Sequence, residues 1–123
     1  MGPKKVLIVD GDPNSVVTLE YLMQKEGYQV VTAQDGEEGL LQADAFHPDL
    51  VLLDAVTPKK TGYEVCQALR AAPHKSCTKI LMLSVRSRDS DIAKGLALGA
   101  KVYMTKPFST KDLTAQVHTL LSA

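Results

Sequence analysis

The apolar run at residues 50–53, followed by Asp54, constrains this chain more than any other stretch. Four consecutive apolar residues are typical of a strand that is buried on both faces, as strands of parallel sheets are. The run ends at a carboxylate, and Pro58 and Gly62 then indicate a loop. Open α/β sheets bind their ligands outside the carboxyl ends of the strands. Asp54 is therefore the first candidate for a functional residue.

Four further apolar runs have the length of strands, and amphipathic segments of helix length separate them. Strands are predicted at residues 6–9, 28–33, 50–53, 79–83 and 101–105. Helices are predicted to start at Pro13, Gly36, Gly62, beyond Asp91 and at Ser109, and to stop at Gly27, Pro48, Pro73, Gly99 and Leu121. This fivefold β-α repeat predicts an α/β fold, a three-layer sandwich around a parallel sheet with right-handed crossovers. The pattern leaves the strand order open.

Apolar residues at helical spacing define the predicted buried faces. They are Val16, Val17, Leu19, Tyr21, Leu22 and Met23 in the first helix, Leu40, Leu41, Ala45 and Phe46 in the second, and Tyr63, Val65, Cys66 and Leu69 in the third.

Length and composition exclude several classes of protein. The 123 residues suffice for one domain, and 14 basic residues balance 14 acidic ones, so no general affinity for nucleic acid or anionic membranes is indicated. No apolar run has the length of a membrane span, and the first residues lack a signal-peptide core. Cys66 and Cys77 are predicted to be buried or half-buried thiols of a cytoplasmic protein. The three histidines, which lack metal-ligand spacing, are predicted to lie at the surface: His47, His74 and His118.

Polar side chains follow the strands that a parallel sheet would bring to one edge. The first strand delivers Asp10 and Asp12, the third Asp54, the fourth Ser84 and the fifth Lys106. A carboxylate can act as a nucleophile toward a phosphoryl group, and an ammonium and a hydroxyl can hold its oxygens. Carboxylate and carbonyl oxygens suit Mg²⁺. The set therefore predicts phosphoryl transfer.

In their order and spacing, four sequence blocks resemble the signature of two-component response-regulator receiver domains, the CheY-like family. The blocks are Asp10 behind an apolar strand, Asp54 with Pro58 and Gly62, Ser84, and the stretch YMTKPF at 103–108. The resemblance covers the whole chain and implies a single receiver domain at residues 1–123, with a flavodoxin-like sheet in the order 2-1-3-4-5.

The resemblance also implies roles for individual residues. Asp54 would accept a phosphoryl group from the phosphohistidine of a sensor kinase or phosphotransfer protein, with Lys106 pairing with that group. Ser84 would move toward it and Tyr103 would rotate inward. This changes the surface of the fourth helix, fifth strand and fifth helix, which would contact an output domain or a downstream protein. The bond between Lys106 and Pro107 is expected to be cis. The domain would assist its own phosphorylation and dephosphorylation without being an enzyme.

Gly11 departs from the family pattern, in which a second acid follows the first and binds Mg²⁺ directly. The remaining ligands would be Asp10, the Asp54 carboxylate and the Val56 carbonyl, and Asp12 would substitute only if its capping role allowed it. Losing a carboxylate weakens metal binding and also relieves repulsion between like charges. We therefore predict weak Mg²⁺ binding that Gly11→Asp would strengthen.

Other departures concern the phosphoryl lifetime and the dimer. Val56 and Arg86 occupy positions that tune the lifetime in receivers, and an apolar Val56 cannot orient an attacking water, which favours a long-lived phosphoryl group. Val102 and Gln116 replace the ion pair that joins dimers of winged-helix regulators. Homodimerisation through that pair is therefore not expected, and other dimers stay open.

Two rival functions remain. A pseudo-receiver would use the same fold as a binding module without phosphorylation, and Gly11 supports it. The stretch LIVDGD at 7–12 also resembles the nucleophile motif of haloacid-dehalogenase-type phosphatases, with Asp10 attacking phosphate and Asp12 acting as acid. That alternative leaves the block from Asp54 to Gly62 without a role. The cognate kinase, signal and output do not follow from the sequence.

Overall fold

The computed structural model describes residues 2–72 and 77–122, so the predictions for Pro73 and His74 lie outside the described residues. The strands are β1 (Lys5–Val9), β2 (Gln29–Ala33), β3 (Leu50–Leu53), β4 (Lys79–Ser84) and β5 (Val102–Thr105). The helices are α1 (Pro13–Lys25), α2 (Gly36–Phe46), α3 (Gly62–Ala71), α4 (Asp89–Ala97) and α5 (Thr110–Ser122). Elements and order agree with the sequence prediction to within a few residues at each end.

The five strands form one parallel sheet in the order β2-β1-β3-β4-β5. The expected flavodoxin-like topology is thus confirmed. In the register, Val9 lies beside Leu53, so the next residues on these two central strands, Asp10 and Asp54, leave the sheet side by side. The sheet therefore brings the two acids together before any side-chain contact is considered.

Local signals at the helix ends explain where the helices begin and stop. The Asp12 side chain caps α1, whose first residue is Pro13. Thr61 and Glu64 form a reciprocal capping box at the start of α3. Gly27 and Gly99 follow α1 and α4 with φ angles of 88° and 120°, which glycine adopts at little cost.

The sheet is buried between two helical layers, as predicted. On one face, β1 and β3 contribute Leu7, Val9, Val51 and Leu53 to a cluster that includes Ala43 of α2 and Cys66 of α3. On the other face, Val6, Ile8, Leu50 and Leu52 pack with Leu19 of α1 and Leu113 of α5. Alternate residues of one strand thus serve opposite cores.

Some burial predictions were wrong. Val17, Tyr21 and Leu41 are 67%, 63% and 70% exposed, and Ala45 is also exposed. Helix α1 buries fully only the narrow stripe of Leu19 and Met23, so neighbouring apolar positions point outward. Tyr63, Val65, Cys66 and Leu69 of α3 are buried as predicted.

The cysteine prediction was right for Cys66, which is buried, and wrong for Cys77, which is exposed in the connection that precedes β4. His47 and His118 lie at the surface, as expected. Within the described part of the chain, no helix has both the length and the apolar character that crossing a membrane requires.

Candidate functional site

The carboxyl edge of the sheet brings Asp10, Asp54 and Lys106 together. The backbone amide of Asp54 donates to the carbonyl of Val9 over 3.0 Å, so the sheet ladder runs up to the acid itself. The amide of Lys106 likewise donates to the carbonyl of Ser84 over 2.8 Å, just beyond β5. Each of these side chains therefore starts from backbone that the sheet holds.

The ammonium of Lys106 lies between the two carboxylates. Its Nζ is 2.7 Å from Asp10 Oδ2 and 2.9 Å from Asp54 Oδ2. A third contact joins Nζ to the Ser15 Oγ over 3.1 Å. An ammonium carries three N–H donors, and here each has an acceptor.

The second oxygen of each carboxylate is held by the backbone. Asp10 Oδ1 accepts from the amide of Asp12 over 2.9 Å, and Asp54 Oδ1 accepts from the amide of Val56 over 2.8 Å. The residues are almost buried, with 2% of Asp10 and 8% of Asp54 exposed. Fixed donors and low exposure hold both acids in one orientation.

Burial and pairing act in opposite directions on the two charges. Burial raises the pKa of the Asp10 carboxyl above 3.8, and hydrogen bonds from Lys106 and from the Asp12 amide offset only part of that rise. Burial alone would lower the pKa of Lys106, but hydrogen bonds to Asp10 and Asp54 and the nearby negative charge together raise it above 10.5. Lys106 therefore stays charged at neutral pH.

The β3–α3 loop (residues 54–61) is tied to the start of α2. The amide of Gly36 donates to the carbonyl of Pro58 over 3.2 Å, and Lys59 forms an ion pair with Asp35 at 3.7 Å. Within the loop, the Thr57 hydroxyl donates to the carbonyl of Lys60. These contacts fix the loop that carries the Val56 amide to Asp54.

Two glycines allow the backbone to approach this closely. A Cβ on Gly36 would lie 2.2 Å from the carbonyl oxygen of Lys60, and one on Gly62 would lie 2.1 Å from that of Asp54. Both obstacles are backbone atoms, which cannot move without displacing the loop. Only glycine fits these two positions while the loop keeps its geometry.

The β4–α4 loop (residues 85–88) forms the opposite side of the site. Ser84 is fully buried, and its Oγ accepts from the amide of Arg86 over 3.2 Å. The Tyr103 hydroxyl donates to the carbonyl of Arg86 over 2.9 Å, and burial raises the pKa of this phenol. Ser84 and Tyr103, both predicted to act in switching, thus contact the backbone of the same residue.

A metal ion would find a modest set of ligands here. An open cavity of about 450 Å³ is lined by Asp10, Asp54 and Val56 together with Gly11, Asp12, Thr57 and Pro58. Among residues 2–72 and 77–122, no group of three or more His, Cys, Asp or Glu side chains is arranged to hold a metal. The Asp12 carboxylate accepts from the amide of Asn14 and the hydroxyl of Ser15, and so belongs to the first turn of α1.

The position of Gly11 explains part of this shortage of metal-binding side chains. A Cβ there would lie 2.9 Å from Cδ of Pro58, so the ring of Pro58 occupies the space into which a side chain would begin. The oxygens of Asp10 and Asp54 are the right type for Mg²⁺, but Lys106 already bridges them. Asp10 and Asp54 thus fit a bound Mg²⁺ only if the ion shares their carboxylates with the Lys106 ammonium.

Sequence analysis missed two parts of this site. Ser15 contacts Lys106 although it lies inside α1, and the signal was its spacing of three residues from the cap Asp12. Asp35 and Gly36 support the β3–α3 loop, and nothing in their own motif points to that loop. The cis bond between Lys106 and Pro107 is present as expected.

The family model described as "Response regulator receiver domain" matches residues 6–118. The chain is 45% identical over 118 residues to the alkaline phosphatase synthesis transcriptional regulatory protein PhoP of Bacillus subtilis, covering 96% of this chain and 48% of that protein. It is 37% identical to the phosphate regulon transcriptional regulatory protein PhoB of Rhizobium meliloti, covering 95% and 52%. The chain thus spans about half the length of these curated relatives.

Solved structures share the fold over nearly their full length. A response regulator from Chloroflexus aurantiacus superposes with a TM-score of 0.93 at 34% identity, covering 98% of this chain and 99% of that one. The chemotaxis protein CheY4 of Vibrio cholerae superposes with a TM-score of 0.90 at 31% identity, covering 97% and 99%.

Proposed function

This chain belongs to the response regulator receiver domain family, and from that premise we propose that Asp54 accepts a phosphoryl group from a phosphohistidine in a two-component phosphorelay. One carboxylate oxygen of Asp54 forms the new bond to phosphorus while the bond from phosphorus to the imidazole nitrogen breaks. The imidazole leaves with the bonding electron pair and takes up a proton. The product is an aspartyl phosphate.

The observation that carries this proposal is the ammonium bridge at the edge of the sheet. The Nζ of Lys106 lies 2.9 Å from Asp54 Oδ2 and 2.7 Å from Asp10 Oδ2. The ammonium is therefore next to the position at which the phosphoryl oxygens would carry negative charge during the transfer. Phosphoryl transfer depends on positioning and on neutralising that charge. Lys106 would keep its contact with Asp10 and donate to a phosphoryl oxygen.

Switching follows from the added charge. An aspartyl phosphate brings an acceptor group into reach of the β4–α4 loop, and the Ser84 hydroxyl would exchange its contact with Arg86 for a bond to the phosphoryl group. The Tyr103 hydroxyl, which bonds to the same residue, would then lose its partner and rotate inward. The surface of α4, β5 and α5 changes as a result.

Mg²⁺ is the cation that this chemistry uses, and we propose that the domain binds it weakly. Asp10, Asp54 and the Val56 carbonyl would hold it, and the ion would supply positive charge to the transferring group. Gly11 contributes no ligand. Lys106 competes for the same two carboxylates.

Gly11→Asp tests the weakness of that site, and Gly11→Asn is its matched control because it has the same bulk without the charge. Both must displace the ring of Pro58 slightly. We expect Gly11→Asp to bind Mg²⁺ about tenfold more tightly than Gly11→Asn in an NMR titration. Equal affinity in the two variants and the wild type would contradict the proposal.

The partners are proposed by class. A sensor histidine kinase or a phosphotransfer protein would supply the phosphoryl group in the cytoplasm. An output domain or a downstream protein would bind the surface of α4, β5 and α5. No direct contact with nucleic acid is proposed for this domain, and it acts as a signalling element rather than as an enzyme.

Acetyl phosphate with Mg²⁺, followed by intact-protein mass spectrometry, tests the function directly. Wild type should gain one phosphoryl group, peptide mapping should place it on Asp54, and Asp54→Asn should gain none. A wild type that gains nothing from acetyl phosphate or from a kinase panel would favour the pseudo-receiver. A phosphoryl group on Asp10 would favour the phosphatase-like alternative, although that reaction needs Asp12 as an acid and Asp12 caps α1 here.

A further inference from the structure

Ser15 links the first turn of α1 to the ammonium at the centre of the site. It is half-buried, and its Oγ lies 3.1 Å from Lys106 Nζ and 3.3 Å from Asp12 Oδ2. Chemistry sets the direction of both bonds, because an ammonium only donates and a carboxylate only accepts. Lys106 therefore donates to Ser15, and Ser15 donates to Asp12.

This chain of hydrogen bonds gives the Lys106 ammonium its third fixed partner. The other two N–H groups point to Asp10 and Asp54, the two groups whose surroundings change when a phosphoryl group arrives. Ser15 and Asp12 belong to α1 and would not be altered covalently by the transfer. The third bond therefore anchors the ammonium to a part of the protein that stays the same through the reaction.

We propose that Ser15 is a positioning residue for phosphoryl transfer to Asp54, holding Lys106 Nζ in place through the Asp12 cap. The proposal rests on the function proposed above. Without the Ser15 hydroxyl, the third N–H of Lys106 would turn to water, and Nζ would be held only by the carboxylates. The ammonium would then meet the phosphoryl oxygens less often in the productive geometry.

Ser15→Ala removes the acceptor without threatening the helix, because alanine has a higher helix propensity than serine. With acetyl phosphate as donor, we expect phosphorylation of Asp54 to slow by roughly three- to tenfold, which is the range that the net contribution of an ordinary hydrogen bond corresponds to, because water can replace the Ser15 hydroxyl in part. Ser15→Thr keeps a hydroxyl and should stay within about twofold of wild type. Thr18→Ala, an exposed change on the same helix, is the matched control and should leave the rate unchanged.

Asp12→Asn separates the hydrogen-bond chain from the helix cap. Asparagine caps helices about as well as aspartate, so α1 keeps its start. If the amide oxygen keeps the bond to the Asn14 amide, the NH₂ group faces Ser15 and donates to the oxygen that Lys106 uses. We expect this variant to slow phosphorylation in the same direction as Ser15→Ala, and we expect the double variant to be no slower than Ser15→Ala alone, because both changes break the same chain of hydrogen bonds. Slowing that multiplies in the double variant would show that Asp12 acts separately from Ser15 and would contradict the chain.

NMR of the unphosphorylated protein, labelled with ¹⁵N at the lysine side chains, supplies a readout that does not depend on phosphorylation. In wild type the Lys106 ammonium protons should exchange slowly with water, and in Ser15→Ala they should exchange several-fold faster. Equal exchange and equal phosphorylation rates in Ser15→Ala and Thr18→Ala would overturn the role of Ser15. A wild type that shows the slow ammonium but takes up no phosphoryl group would instead overturn the proposed function.

Discussion

The β3–α3 loop and the β4–α4 loop flank the same site but are held very differently. The first is fixed by the Gly36 amide, by the ion pair of Lys59 with Asp35, and by two glycines that pack against backbone. The second is exposed from residue 85 to residue 88, where two hydroxyl groups contact the backbone of Arg86 and Arg88 contacts Asp91 in the first turn of α4. The first loop packs closely against backbone, while the second is exposed to solvent and is held through side chains.

The difference assigns separate tasks to the two loops. Asp54 and its neighbours need a fixed geometry, since misplacing a reacting group is costly. A switch needs an element with two arrangements of similar free energy, and the β4–α4 loop has few contacts to lose on moving. If these contacts determine the behaviour of the loops, substitutions in the first loop should reveal a rigid element and substitutions beside the second an adaptable one.

Gly62→Ala and Gly36→Ala should have the largest effects. Each new Cβ would lie within 2.2 Å of a backbone oxygen, so the β3–α3 loop must shift. We expect each change to lower the free energy of unfolding by about 3 kcal/mol, the upper end of the cost of overpacking. Chemical denaturation measures this, with Gly2→Ala as the control because a Cβ there meets nothing within 4 Å. Losses as small as that of the control would show that the loop adapts.

Gly95→Ala makes the same change on the side of the β4–α4 loop. Its Cβ would lie 2.8 Å from Sδ of Met82 and 2.8 Å from the ring of Tyr103, which are side-chain atoms that can move. The gain in helix propensity offsets part of the overlap, so we expect a net loss of about 1 kcal/mol or less. The ring resonances of Tyr103 should shift in NMR spectra. A loss of unfolding free energy as large as that of Gly62→Ala would mean that α4 and Tyr103 are as rigid as the β3–α3 loop.

The pH dependence of stability tests the effect of burying the Asp10 carboxylate, which lies beside Asp54 at the end of β1. Because burial raises the pKa of Asp10 in the folded protein, that protein holds the proton more tightly than the unfolded chain does. Asp10 therefore destabilises the fold as the pH rises from about 3.8 through its folded pKa, and the effect then levels off. Lys106 does not contribute to this slope, since its pKa lies above 10.5 and it stays charged.

Urea denaturation at a series of pH values measures the effect. Relative to Asp10→Asn, wild type should lose stability as the pH rises from acid toward neutral. Parallel stability profiles for the two proteins would show that Asp10 is not perturbed by its burial.

Lys59→Met should have the smallest effect, although it removes an ion pair from the fixed loop. The Lys59 side chain is 62% exposed, so water screens its pairing with Asp35. Exposed pairs contribute about 0.5 kcal/mol, and we expect no larger loss in chemical denaturation. The neighbouring Lys60→Met is the matched control. A loss of several kcal/mol would mean that charge, rather than close backbone packing, fixes the loop.

Sequence reasoning captured the fold because buried parallel strands and capped helices leave strong local signals. Asp10, Asp54 and Lys106 were predicted to meet because the carboxyl ends of parallel strands share one edge. The strand order came from the resemblance to a family, since apolar periodicity does not distinguish neighbours in a sheet. Contacts across the fold were beyond that reasoning. The support of the β3–α3 loop by Gly36 and the bond from Lys106 to Ser15 depend on tertiary packing, which no local pattern encodes.

The burial errors have a physical cause of the same kind. Val17 and Tyr21 match the spacing of an amphipathic helix, but a surface helix buries only the stripe that faces the sheet. The width of that stripe depends on how α1 packs against β1 and α5. The sequence of α1 alone does not determine this packing.

Hydrogen exchange before and after phosphorylation of Asp54 tests the central contrast between the two loops most directly. Amides of residues 85–88 and the first turn of α4 should change their exchange rates when the phosphoryl group is present, while amides of residues 55–61 should change little. Asp54→Asn treated with the same donor should show neither change. The contrary result, in which the β3–α3 loop changes and the β4–α4 loop stays as it was, would contradict the account.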